Sequence, residues 1–106
     1  TYATDLAKAI LEIINKKNYQ NKEQQTEIYH YSNEGEISWY EFAQEIFKIS
    51  NIDCKINPIT TEQYLTLAKR PRYAKMKKKK IRDSYSIKAY KWKYSLGICL
   101  TNLHLK

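Results

Sequence analysis

A chain of 106 residues with only two glycines and two prolines has few places to turn, and this scarcity constrains its fold most. Left-handed backbone and tight turns draw on glycine, and abrupt stops draw on proline. The chain therefore reads as helix-rich. One glycine, Gly35, falls in the most tightly written stretch, YHYSNEGEISWYEFAQEIF, residues 29–47. Asn33-Glu34-Gly35 predicts a turn with positive φ at the glycine. Ser38 and Glu41 then stand at capping-box spacing, where each side chain satisfies an orphan N–H of the other's backbone. Trp39, Phe42, Ala43, Ile46 and Phe47 follow as the apolar stripe of a helix.

The other elements follow from periodicity. Leu6, Ala7, Ile10, Leu11 and Ile14 recur at helical spacing and predict a first helix with Thr1 or Thr4 as its cap. Asp5 suits the positive end of that helix's dipole. Residues 16–26 are polar and read as an exposed loop. Residues 27–32 alternate Ile28 and His30 against Tyr29 and Tyr31, a strand pattern. Residues 54–59 predict a second short strand ended near Pro58. Residues 60–73 have loop character, residues 77–85 read as a short basic helix, and Trp92, Leu96, Cys99, Leu100 and Leu103 mark one face of a terminal helix. The sum is about four helices and two short strands in one domain spanning residues 1–106, a small, mostly helical α/β piece.

The net charge of +8 suits an anionic partner. Nine of the nineteen Lys and Arg residues fall within residues 69–82. That cluster has three readings: a nucleic-acid surface with Tyr64, Tyr73 and Tyr85 as stacking platforms, a phosphate grip by Arg70 and Arg72 beside the rigid Pro71, or a solvated face for the lysine run 77–80. Cys54 and Cys99 are too few for a disulfide or metal framework and read as buried free thiols. The longest apolar run, near Ile10, is broken by Glu12 and is too short to span a bilayer. A soluble, cytoplasmic setting is the expectation. Two glycines cannot build a dinucleotide or Walker loop, and His30 and His104 lack metal-ligand spacing. Tyr73 and Lys77 match Y-x-x-x-K, the spacing of a tyrosyl proton donor and its lysine. They follow Arg70-Pro71-Arg72 in a segment that reads as loop, so the match reads as chance.

Three segments resemble one known family. Residues 29–47, the opening TYATDLAKAI, and residues 56–73, INPITTEQYLTLAKRPRY, resemble the C-terminal part of the dTDP-4-dehydrorhamnose reductases, which are extended short-chain dehydrogenase/reductases. The spacing from Ile87 through Trp92 to Ser95-Leu96 fits that family's ending. The resemblance covers essentially the whole chain. It implies the substrate-binding domain of an enzyme that reduces dTDP-6-deoxy-L-lyxo-4-hexulose to dTDP-L-rhamnose with NADPH. It also implies that the cofactor fingerprint and the catalytic residues lie upstream of Thr1, in a Rossmann domain. Several positions depart from the family pattern: Leu65 and Leu67 replace prolines, Tyr73-Ala74-Lys75-Met76 replaces Y-S-V-L, Ser86 replaces the usual glycine before Ile87, and Tyr90 replaces a proline.

The resulting expectation is a C-terminal substrate-binding part of such a reductase, a fragment without catalytic residues or bound cofactor of its own. Arg70, Pro71, Arg72 and Trp39 are its expected substrate-binding residues, and no metal site is expected. Its expected partners are the dTDP-sugar and either the missing Rossmann domain or a second copy of itself. The rival readings are a nucleic-acid-binding module using residues 69–82 and a non-catalytic interaction protein.

Overall fold

The computed structural model describes residues 1–16, 26–64, 66–68 and 71–104. Within them lie four helices, α1 (Ala3–Lys16), α2 (Trp39–Ile49), α3 (Lys79–Tyr85) and α4 (Trp92–His104). Helix α2 begins as its sequence dictates. The Glu41 N–H donates to Ser38 Oγ at 3.2 Å and the Ser38 N–H donates to Glu41 Oε2 at 2.9 Å. Helix α3 ends on Ser86, which takes the left-handed conformation, φ 60°, and donates its N–H to the Arg82 carbonyl.

The helices are the part of the expected architecture that forms. Neither expected strand does, and no sheet exists among the described residues. The pairing present is an isolated parallel bridge between Glu34 and Lys91. In it the Glu34 N–H donates to the Tyr90 carbonyl at 2.7 Å and the Trp92 N–H donates to the Glu34 carbonyl at 2.9 Å. A strand needs a neighbouring backbone to accept and donate along its length. Residues 27–33 are instead met by side chains: Lys80 Nζ donates to the Ile28 carbonyl at 3.2 Å and Lys78 Nζ to the Asn33 carbonyl at 3.0 Å. Residues 54–59 have no partner backbone among the described residues, and Pro58 removes a donor from them. The expected loop at 16–26 lies mostly outside the described residues.

Packing is pairwise. Helix α1 meets α3, and α2 meets α4. Ala9, Ile81 and Ile87 are buried in the first pair, with Ile13, Tyr29, Tyr31 and Tyr85 packed around them. Tyr29 and Tyr85 meet edge to face at 5.3 Å. In the second pair the Phe42 ring meets Trp92 at 6.1 Å, again edge to face, and Leu96 is buried. Lys93 clamps this pair from outside on Glu45 at 2.7 Å.

The inward face of α1 differs from the expected one. Asp5 and Ala9 are buried, whereas Leu6, Ile10, Leu11 and Ile14 are 39–57% exposed. The wide apolar arc of this helix offers two faces, and the fold uses the one that carries Asp5. An apolar stripe of four large side chains is left open to solvent. The radius of gyration is 17.7 Å, against about 13 Å for a compact domain of this length.

Candidate functional site

A buried polar junction ties the two helix pairs together. Asn33 Nδ2 donates to Asp5 Oδ2 at 2.8 Å and to Ser95 Oγ at 3.0 Å, while its Oδ1 accepts the Tyr2 N–H at 2.8 Å. The Ser95 hydroxyl donates to Asp5 in turn. Asp5, Asn33 and Ser95 are each buried, and among the described residues no buried side-chain polar atom lacks a partner. A buried carboxylate persists only when donors surround it in this way. The junction fixes the start of α1, the start of α4 and the 33–38 turn relative to one another.

Gly35 is required twice at that turn. Its φ is +106°, and a Cβ there would lie 2.6 Å from Trp92 Cδ1. The indole therefore seats directly over the glycine, and the positive φ expected from sequence is present. One residue on, Glu36 forms a clamp. Its Oε1 accepts from the Tyr73 hydroxyl at 3.2 Å and pairs with Lys75. Hydrogen bonding to Lys75 and that residue's charge hold the Glu36 carboxyl below its ordinary value and push the Lys75 ammonium up. The clamp docks the 71–75 segment beside the turn that opens α2.

Of the expected site residues, Trp39, Pro71 and Arg72 lie within three residues in sequence of a member of this clamp. Trp39 is the first residue of α2 and is 77% exposed, its ring edge on Phe42 at 6.2 Å. Pro71 is exposed. Arg72 is exposed and reaches Glu62 at 3.8 Å. Arg70 lies outside the described residues, as do Lys69 and Leu65. Glu36 thus ties the segment that carries Arg72 to the turn before Trp39 through Tyr73 and Lys75, while Arg72 and Trp39 themselves are exposed and pair with Glu62 and Phe42. Sequence reasoning missed Glu36, Tyr73 and Lys75 as the tie. The available signal was charge: Glu27, Glu34 and Glu36 on one segment face a lysine run on another.

That complementarity also revises the basic cluster. Lys80 pairs with Glu27 at 3.7 Å and Lys78 with Glu34 at 3.1 Å, while Lys79 pairs with Asp83. Lys80 also lies over the Tyr29 ring at 4.6 Å. Hydrogen bonding to Glu27 pushes the Tyr29 hydroxyl up to about 12. Much of the charge offered to nucleic acid in the sequence reading is spent inside the fold. Tyr73 and Lys77 lie in a non-helical segment and Tyr73 is engaged by Glu36, so they do not form a helical proton-donor pair. Cys54 is exposed and Cys99 half-buried, both free, which corrects the expectation of two buried thiols.

The residues present do not make a dinucleotide cradle. The space above Gly35 is filled by Trp92, and Gly97 sits inside α4. Neither glycine opens a strand-to-helix turn whose free N–H groups would face a pyrophosphate. Among the described residues no cluster of His, Cys, Asp and Glu fits a metal, and no helix is long and apolar enough to cross a membrane.

Fold and site together define a small helical domain with a polar clamp at the turn that opens α2 and an uncovered apolar stripe on α1. The chain belongs to the RmlD substrate binding domain family, whose sequence pattern matches residues 1–105. It is 33% identical over 96 residues to the spore coat polysaccharide biosynthesis protein SpsK of Bacillus subtilis strain 168, covering 91% of this chain and 31% of that protein. It is 33% identical over 103 residues to a dTDP-4-dehydrorhamnose reductase of Aggregatibacter actinomycetemcomitans, covering 91% of this chain and 34% of that protein. A dTDP-4-dehydrorhamnose reductase of Sinorhizobium fredii is 27% identical over 99 residues. The chain spans about a third of the length of these relatives. No solved structure matches it.

Proposed function

We propose that this chain is the sugar-nucleotide-holding part of a dTDP-4-dehydrorhamnose reductase acting in the cytoplasm, and that it contributes substrate contacts and neither the redox cofactor nor the catalytic groups. The carrying observation is the family match over residues 1–105, and it is supported by the Glu36 clamp on Tyr73 and Lys75, which docks the segment carrying Arg72 beside the turn that precedes Trp39. Arg72 presents a planar guanidinium suited to a phosphate in two-point contact. Trp39 offers an exposed ring for a base or a sugar to pack on. Pro71 stiffens the backbone between Arg70 and Arg72. Arg70 is proposed as a second phosphate contact on the strength of the resemblance.

The open stripe of α1 supports a second part of this reading. The relatives are about three times as long as this chain, and the resemblance places the α1 segment against the nucleotide-binding domain. Leu6, Ile10 and Ile14 form the surface that such a domain covers.

The test is binding. Calorimetric titration with dTDP is expected to saturate, and Arg72→Gln is expected to weaken binding by about tenfold, the loss of one charge-assisted phosphate contact. Incubation of the chain alone with NADPH and the keto-sugar is expected to leave NADPH unoxidised. Absence of saturable dTDP binding, or turnover by the chain alone, would overturn the proposal.

A further inference from the structure

A cleft lined mainly by cations lies elsewhere in the molecule. Between α3 and residues 87–89 lies a cleft of about 290 Å³. Its floor is apolar: Ile81 and Ile87 are buried and Tyr31 half-buried. Its polar lining includes three cations, Lys78, Arg82 and Lys88, against one carboxylate, Glu34. Lys78 is the most enclosed of them, its side chain only 12% exposed. Its ammonium uses two donors, one on Glu34 at 3.1 Å and one on the Asn33 carbonyl at 3.0 Å. A lysine has three donors, so one remains. Glu34 neutralises Lys78 and no more. Arg82 and Lys88 have no carboxylate within ion-pair distance among the described residues. This contrasts with Lys75, Lys79 and Lys80 of the same basic run, each of which has one.

We infer that this cleft binds a phosphoryl group, held by Arg82 and Lys88 with the spare donor of Lys78. Two unneutralised cations beside an apolar floor match a dianion that carries its own charge into the cleft, and a guanidinium matches phosphate oxygens in pairs. The volume lies at the lower end of the roughly 300–1,000 Å³ of ligand pockets, so it suits a phosphate or diphosphate end and not a whole sugar nucleotide. The cleft stands apart from Trp39 and Arg72, neither of which lines it. The inference does not rest on the proposed function.

The experiment is calorimetric titration of the chain with inorganic pyrophosphate, with dTDP and with thymidine. Pyrophosphate is expected to saturate one site and thymidine to give no heat there. A double variant, Arg82→Gln with Lys88→Gln, is expected to weaken pyrophosphate by about tenfold or more. Both residues are exposed, so an unchanged melting curve checks that the fold survives. A control, Lys8→Gln with Lys55→Gln, removes the same charge elsewhere and is expected to change affinity by less than about threefold. No saturable pyrophosphate binding, or equal losses in the two double variants, overturns the inference. Loss of dTDP binding in the cleft variant would make a nucleotide's diphosphate the source, whereas retained dTDP binding would make it free phosphate. If dTDP responds to Arg72→Gln while pyrophosphate does not bind, the cleft falls and the proposed function stands. The reverse pattern separates them the other way.

Discussion

At the scale of single residues, three positions carry consequences that the backbone dictates. Gly35→Ala places a Cβ in left-handed backbone and 2.6 Å from the Trp92 ring. It should cost about 2 kcal/mol or more, read as a drop in thermal midpoint of the order of 10 °C. Ser86 is the reverse case. Where related sequences are expected to carry glycine, this chain holds a serine at φ 60°. A non-glycine residue in that conformation costs about 1 kcal/mol, so Ser86→Gly should raise stability by about 0.5–1 kcal/mol in denaturant unfolding. A lower midpoint for Ser86→Gly would show that the serine side chain does something the backbone account omits. Asn33→Ala strips a donor from buried Asp5 and leaves the Tyr2 N–H without its acceptor. A loss of about 2–3 kcal/mol is expected, and a change within experimental error would mean the junction is dispensable.

At the scale of elements, the clamp between Glu36 and the 71–75 segment gives a pH signature. Glu36 titrates below its ordinary value of 4.5 in the folded chain, so its contribution is full above that value and is lost as pH falls through the lowered one. Lys75 is shifted up by the same contact, so its contribution is full below its ordinary value and is lost as pH rises through the raised one. The segment should therefore stay docked across neutral pH and loosen in acid. Amide resonances of Tyr73 and Lys75 are expected to titrate with a midpoint below 4.5, and Glu36→Gln should abolish that titration. Resonances indifferent to acid would remove the clamp from the account.

The elements also show how far sequence carries. Helix α2 was fully legible, because Ser38, Glu41 and the stripe behind them act within one or two turns. The inward face of α1 was not. Both 5/9 and 6/10/14 fit a helical period, and the choice rests on Asp5 meeting Asn33 and Ser95, 28 and 90 residues away. The alternation at 28–31 was real but could not say whether a backbone partner exists, and lysine side chains took its carbonyls instead. Arg70 and Arg72 were legible through residue chemistry and through the family resemblance, but the contacts made around them were not. The tie of Glu36 to Tyr73 and Lys75 spans 37 and 39 residues and leaves no periodic trace.

At the scale of the whole molecule, the open stripe on α1 and the extended shape point to a surface meant to be covered. Four large apolar side chains in one stripe exceed the scattered exposure that is ordinary on a monomer. Alone and concentrated, the chain is expected to self-associate through this face, and light scattering behind size exclusion should report a mass above 12.7 kDa. Ile10→Lys with Ile14→Lys should return it to a monomer; a wild-type monomer at high concentration would count against a covered face. The claim that most of the account depends on is that the face around Glu36 holds a sugar nucleotide. A ¹⁵N chemical-shift titration with dTDP-L-rhamnose tests it most directly. Saturable shifts at Trp39, Tyr40 and residues 72–75 are the result the account requires, and shifts that are absent there or confined to the outer side of α4 would contradict it.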